Sequence, residues 1–337
     1  MLTGATGFVG GNLLDLLLEK GFHVRCLVRD IQQAKAILPA QDVELFEGDL
    51  RDPDAVERCA RGCQVIFHTA ADYRLWVPDP WNMYDVNVGG TRNILKAARE
   101  AKVNRVVHTS SVGALGLPKD GSPGTEETPV CLEDLVGPYK RSKYFSEQEA
   151  LAAAREGLDV VVVNPSTPVG PKDRKPTPTG RTILDFLNRR MPAYVDTGLN
   201  LVHVRDVVEG HLLALERGRT GEKYILGNQN LTLKEIFQML AGVSGLEAPS
   251  IRLPRWPVLI LAHLEGALSR WVTHKEPRIP LDGVKMAAKK MFFDPAKAIL
   301  ELGLPQRSIR QALAEAVRWF TEHGYVRKAL ESHDLRV

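Results

Sequence analysis

Tyr139 and Lys143 stand four residues apart in Pro138-Tyr139-Lys140-Arg141-Ser142-Lys143, a spacing that places both on one face of a helix. A tyrosine hydroxyl ordinarily titrates near ~10. An ammonium close by favours the phenolate and draws that value toward working pH. Such a pair can give a proton to, or take one from, a substrate hydroxyl. Ser110 and Ser111 follow the strand-like run Arg105 to Thr109, where a serine hydroxyl can hold the same reacting oxygen. Tyr-x-x-x-Lys by itself recurs on surface helices, so its meaning depends on the rest of the chain.

The first eleven residues supply that context. Gly4, Gly7 and Gly10 are three apart, and the amphipathic run Asn12 to Lys20 follows at once. Glycines at this spacing let backbone N–H groups approach a pyrophosphate, and a helix starting there points its positive end at the same charge. Gly4, Thr6, Gly7, Phe8, Val9 and Gly10 are therefore candidate cofactor-binding residues. The spacing is Gly-x-x-Gly-x-x-Gly rather than the Gly-x-Gly-x-x-Gly dinucleotide fingerprint. Only Met1, Leu2 and Thr3 precede the loop, whereas a buried parallel strand usually runs ~5 residues, so this strand reads as trimmed.

The chain has 337 residues, 44% hydrophobic and 25% charged, with a net charge of +3. It is long enough for a large core and too nearly neutral to suggest nucleic acid. Cys26, Cys59, Cys63 and Cys131 form no Cys-x-x-Cys pair and read as reduced thiols of a cytoplasmic protein. No metal site is expected. No apolar run reaches the ~20 residues of a membrane span. The greasiest stretch, Trp256 to Leu268, reads as a helix packed into a small lobe, with contact to a lipid-like substrate or a peripheral place on the inner membrane as the alternative.

Positioning the chemistry requires a doubly wound parallel sheet. Strands are expected at Phe22–Val28, Val43–Glu47, Gln64–His68, Arg105–Thr109, Leu158–Asn164 and, back in the main sheet, Leu201–Asp206. Helices are expected over Trp81–Ala101, from Pro138 to Arg155, and over Arg181–Arg190 and Val207–Arg217. Gly89 and Gly90 inside the first of these imply a neighbour in close approach. Thr232 with Glu235 three residues on is a capping box. The dinucleotide-binding domain takes residues 1–164 and 196–227; a smaller, mainly helical lobe takes 165–195 and 228–325. At the end of the second strand Val28 occupies the slot where an acid would hold a ribose 2′-hydroxyl, and Arg29 follows. This favours NADP over NAD, since arginine pairs with a 2′-phosphate and an acid would repel it.

The chain resembles the extended short-chain dehydrogenase/reductase (NAD-dependent epimerase/dehydratase) family over nearly its whole length. The resemblance rests on the glycine loop, on Ala71-Asp72-Tyr73-Arg74-Leu75-Trp76, on Asn164-Pro165-Ser166-Thr167-Pro168-Val169-Gly170-Pro171, and on Lys175-Pro176-Thr177-Pro178-Thr179-Gly180-Arg181. The run Met191 to Val204 extends it. Within the family these runs are most similar to hopanoid-associated sugar epimerases and to dihydroflavonol 4-reductases. The resemblance implies a Rossmann-type fold and an enzyme that oxidises, reduces or epimerises a hydroxyl or carbonyl carbon, on a sugar-like or hopanoid side-chain substrate of lipid biosynthesis. It implies Ser111, Tyr139 and Lys143 as catalytic residues, with Ser111 preferred to Ser110 by its position before Gly116. It adds Asp49, Leu50, Thr69, Ala70, Ala71, Asn87, Thr109, Pro165 and Ser166 to the cofactor side. Tyr73, Arg74, Trp76, Lys175 and Arg181 fall to the substrate. A homodimer is implied through helices around Asn82–Ala101 and Tyr139–Arg155, with Ala97, Ala98, Ala101, Ala150, Ala152, Ala153 and Ala154 as small packing residues. The family's Arg-x-Gly-Asp stretch ahead of Asp294-Pro295-Ala296-Lys297-Ala298 is missing, Val284 standing in its place. A nucleotide-diphosphate sugar is therefore not expected. A dihydroflavonol reductase-like ketone reductase and a non-catalytic dinucleotide sensor are the competing readings.

Overall fold

Four valines in a row, Val160 to Val163, are wholly buried, the mark of a strand covered on both faces. Val161 and Val163 point into one apolar layer and Val160 and Val162 into the other, as the two-residue period of a strand demands. The computed structural model describes residues 1–39, 43–77, 79–269, 277 and 281–327. Its first half alternates β1 (Leu2–Thr3), α1 (Phe8–Glu19), β2 (Val24–Val28), α2 (Ile31–Lys35), β3 (Val43–Glu47), α3 (Pro53–Ala60) and β4 (Val65–His68). Then come α4 (Pro80–Tyr84), α5 (Gly90–Glu100), β5 (Arg105–Thr109), α6 (Gly137–Arg155) and β6 (Val160–Pro165).

The second half contains β7 (Thr167–Val169), α7 (Pro178–Leu187), β8 (Ala193–Val195), β9 (Gly198–His203), α8 (Val204–Arg217), β10 (Lys223–Leu226) and β11 (Gln229–Thr232). It ends with α9 (Leu233–Ser244), β12 (Ile251–Leu253), α10 (Arg255–Leu268), α11 (Leu281–Met286) and α12 (Ile309–Glu322). The main sheet has seven parallel strands in the order β10-β6-β5-β4-β1-β2-β3, a Rossmann-type arrangement. Helices α1 and α8 cover one face; α3, α5 and α6 cover the other. Strand order reverses between β1 and β4, so their carboxyl ends open a crevice where ligands bind in such sheets.

Several expectations need correction. Residues 198–203 do not rejoin the main sheet: β9 lies in a three-stranded sheet between β11 and β7. The seventh main-sheet strand is Lys223–Leu226 instead, a short run that alternation could not separate from a turn. The helix expected over 181–190 starts earlier, at Pro178, because Thr177 caps it by accepting from the Gly180 N–H. Val204 to Asp206 belong to α8 rather than to a strand. The long helix after Trp81 is continuous in space but holds a π-helical turn, Asp85–Gly89, between α4 and α5. Of its glycines, only Gly90 faces a close neighbour; a Cβ there would lie 2.9 Å from the Leu50 Cβ, whereas Gly89 has open space. The capping box on α9 forms as expected.

Candidate active site

The glycine loop is shaped by its own packing. Gly4 has a φ of +77°, and a Cβ on it would stand 2.8 Å from the Ala70 nitrogen. A Cβ on Gly10 would fall 2.1 Å from the Gly4 carbonyl oxygen. Gly7 is exposed and caps α1 without a side-chain hydrogen bond, and the first turn of α1 holds no acid. The free N–H groups of that turn and the helix dipole together fit a pyrophosphate. Thr69 donates to the Thr3 carbonyl at 2.6 Å and the Ala70 N–H to Thr3 Oγ1 at 3.2 Å, which staples the tips of β1 and β4 behind the loop. At the tip of β6, the buried Ser166 hydroxyl has no hydrogen-bond partner among the described residues. These features fit an NAD(P) molecule laid across the crevice.

At the adenosine end Arg29 is exposed. Asp30, its neighbour, is occupied in capping α2 through the Gln33 N–H. Asp49 is clasped by Arg51 through two 2.9 Å bonds, and its carboxyl is held below the usual range by that pair and by the nearby Arg29. Two guanidiniums thus flank one acid.

The reacting groups meet at the start of α6. Tyr139 is pushed above its ordinary value by burial, against which the nearby Ser111 acts. Lys143 does not pair with it: the ammonium donates to the Thr109 carbonyl at 2.6 Å, and burial brings it down to about 8. The lowering of Tyr139 is expected from Lys143 together with the cofactor's positive ring; the protein residues alone raise it, because burial opposes the phenolate and the ammonium is engaged by the Thr109 carbonyl. Ser110, the alternative serine, turns its hydroxyl away and donates to Glu147 Oε2 at 2.6 Å. Ser111 instead accepts from the Gly113 N–H at 3.0 Å.

Glu147 escaped the sequence reading. It sits four residues past Lys143 on α6, and its carboxyl, raised by burial, accepts from both Ser110 and Asn164, the latter at 2.7 Å. Asn164 also donates to the Ser111 carbonyl at 3.1 Å. One buried acid thereby holds the backbone that carries Ser111. The continued four-residue spacing from Tyr139 to Lys143 to Glu147 was the available signal. Asn87, in the π turn, accepts from the Asp72 N–H at 2.7 Å and donates to the Asp72 carbonyl and to Ser142 Oγ, each at 2.9 Å. Its side chain is thus used up in joining the 72–76 loop to α6, and it acts on the site by positioning rather than by touching a cofactor. The Thr109 hydroxyl is likewise committed, to His211 at 2.9 Å.

On the substrate side, the Tyr73 hydroxyl donates to the Lys175 carbonyl at 3.0 Å, tying the 72–76 loop to the loop before α7. Burial raises Tyr73, and Asp173, Arg181 and Tyr139 are all near enough to act on it. Arg181, on the first turn of α7, is exposed. Arg74 pairs with Asp72 at 2.5 Å, Trp76 is half-buried, and the Lys175 side chain is exposed. Lys140 was also missed. It is 8% exposed, its ammonium donates only to Met291 Sδ at 3.4 Å, and burial lowers it to about 8. It lines a cavity with Leu115, Glu133, Asp134, Lys289, Met286 and Met291, next to Gly113. Nothing in the pattern set this lysine apart from a solvated one on a helix.

Comparison with known proteins agrees with this geometry. Residues 1–227 match the model of the NAD dependent epimerase/dehydratase family. A Synechocystis sp. protein provisionally named a dihydroflavonol 4-reductase is 51% identical over 97% of this chain and 95% of its own length. Sterol demethylase protein B of Methylococcus capsulatus is 38% identical over 97% of this chain and 99% of its own. The crystal structure of gox2253 superposes with a TM-score of 0.84 at 47% identity, covering 97% of this chain and 98% of that one. The chain belongs to the NAD-dependent epimerase/dehydratase family of extended short-chain dehydrogenase/reductases, and it is an NAD(P)-dependent enzyme.

Proposed function

We propose that the protein is an NADP-linked oxidoreductase or epimerase of a hydroxyl-bearing carbon on the sugar-like or hydroxylated side chain of an apolar, hopanoid-type lipid. The observation that carries the reading is the buried Lys143 ammonium on the Thr109 carbonyl at 2.6 Å, at the end of the strand that leads into Ser111 and one helical turn beyond Tyr139. Ser111 holds the substrate oxygen, and Tyr139 exchanges a proton with it. Lys143, on the Thr109 carbonyl, stands where it can hold a ribose hydroxyl. Bound NADP(H) supplies the hydride and, when oxidised, a positive ring charge that favours the Tyr139 phenolate. Arg29, beside an acid-free strand end, supports NADP over NAD. The absence of the Arg-x-Gly-Asp stretch favours a lipid-borne group over a nucleotide sugar, as does the likeness to a protein named for sterol demethylation.

The segments 165–195 and 228–325 form the substrate lobe in this reading, and the enzyme works in the cytoplasm as a homodimer. Of the expected alanines, Ala97, Ala98, Ala150 and Ala153 are buried inside one chain and would not join two copies, whereas Ala101, Ala152 and Ala154 are half-buried. Trp81 and Phe145, 75% and 39% exposed, are the large apolar groups on that side and take their place. The deciding experiment is incubation with NADPH and ketone or aldehyde forms of hopanoid side chains. Stoichiometric cofactor oxidation marks a reductase, and inversion without net oxidation marks an epimerase. No turnover of any such compound, with activity on nucleotide sugars instead, would remove the substrate reading.

A further inference from the structure

The expected burial of the apolar helix at Trp256–Leu268 fails. In α10 only Ala262 is buried. Trp256, Ile260, Leu264 and Leu268 recur every four residues at 66%, 54%, 64% and 52% exposure, and Leu261 beside them is 46% exposed. At 1.5 Å per residue this apolar strip runs roughly 18 Å along one side of the helix. Ile251 and Leu253 on β12, just before it, are exposed as well. Contiguous apolar surface of this kind marks an interaction site.

Charge indicates what covers it. Residues 249–290 hold eight lysines and arginines against three acids, which leaves 36 against 38 of the chain's 44 and 41 for everything else. The chain's positive balance therefore lies wholly in this segment, and the rest is slightly negative. Arg252 is paired with Asp196 and Lys289 with Asp134, so part of that charge is already answered. Arg255 sits beside Trp256, its guanidinium on the Ala288 carbonyl. No helix among the described residues is long and apolar enough to cross a membrane. An exposed apolar helix face that opens on Arg255 and Trp256, in a segment of net positive charge, is suited to lie in the headgroup layer of an anionic bilayer.

The position adds a reason. α10 packs on α11, and α11 abuts the site: a Cβ on Gly137, two residues before Tyr139, would meet the Asp282 carboxylate at 2.5 Å, and Gly283 lies near Leu75. We propose that α10 docks the enzyme on an anionic bilayer surface, in a lobe that borders the catalytic opening. The proposal rests on the exposed face and its charge and does not depend on the substrate named above.

The test is flotation of the full-length protein with vesicles of phosphatidylcholine alone or of phosphatidylcholine with 30% phosphatidylglycerol, a composition in the range where basic segments respond to anionic lipid. The expected result is capture by the anionic vesicles only, reversed by salt, since screening shortens the reach of the charges. Ile260→Glu with Leu264→Glu is expected to lower capture at least tenfold while circular dichroism and melting temperature stay unchanged. These readouts involve no turnover, so they separate from any failure of the substrate assignment. Wild-type protein that stays with neither vesicle, or capture that the double variant leaves intact, overturns the proposal. So does a vesicle-free oligomer that the same substitutions dissolve, which would assign the face to a second copy.

Discussion

Lys140→Met is expected to stabilise the protein. The side chain is 8% exposed, its ammonium donates to a thioether among the described residues, and Asp134 is near enough to offset only part of the cost of burial. Burial lowers it from 10.5 to about 8. Each unit of such a shift is ~1.4 kcal/mol, so the charged folded form at pH 7 carries a penalty of about 3 kcal/mol. The sign follows from proton binding. Below about pH 8 both states are protonated and the penalty is full; between 8 and 10.5 the folded state releases its proton first and the penalty fades. Methionine fills nearly the same volume beside Met286 and Met291 without the charge. Urea unfolding should therefore show the variant ahead by ~3 kcal/mol at pH 7, and by less than half of that at pH 9.5. A variant that is less stable at pH 7, or a gain that does not shrink with pH, would refute the reasoning. An enzyme that keeps such a group beside Ser111 and Gly113 trades stability for function. The variant is accordingly expected to raise KM with kcat little changed, the pattern of lost binding in both ground and transition states.

Tyr139→Phe should leave NADPH binding nearly intact by fluorescence titration while cutting turnover on the order of a hundredfold or more. Near-normal turnover would remove the proton-transfer role. Arg29→Ala should weaken NADP far more than NAD, by the ~1.5–3 kcal/mol of a charge-assisted bond; equal weakening in calorimetry would make Arg29 structural. Light scattering at micromolar concentration should give twice the 37.3 kDa chain mass, and Trp81→Lys with Phe145→Lys should return it to one chain. A single-chain mass for the wild type would end the dimer reading.

Local pattern determined much of this protein. Four-residue spacing put Tyr139 and Lys143 on one helical face, because a helix repeats every ~3.6 residues whatever surrounds it. Glycines at three-residue intervals announced the anion loop, since Gly4 and Gly10 sit where no Cβ fits. Apolar runs marked β2 to β6 because buried parallel strands need little else. What local pattern could not carry was any outcome set by partners far along the chain. Ser110 and Ser111 are equivalent as neighbours, and only the arrival of Glu147 and Asn164 from α6 and β6 gives them different work. Lys140 and Lys143 read alike as helix lysines; packing against Met291 and the Thr109 carbonyl buried both and lowered both. The run at 198–203 has strand character in any setting, and its pairing with β7 and β11 placed it outside the main sheet. The apolar content of α10 was plain in its residues, but whether it lay inside or outside depended on how much surface the rest of the lobe could offer it. Tertiary structure left that face uncovered, because burial is a property of the neighbours a segment finds and not of its own composition.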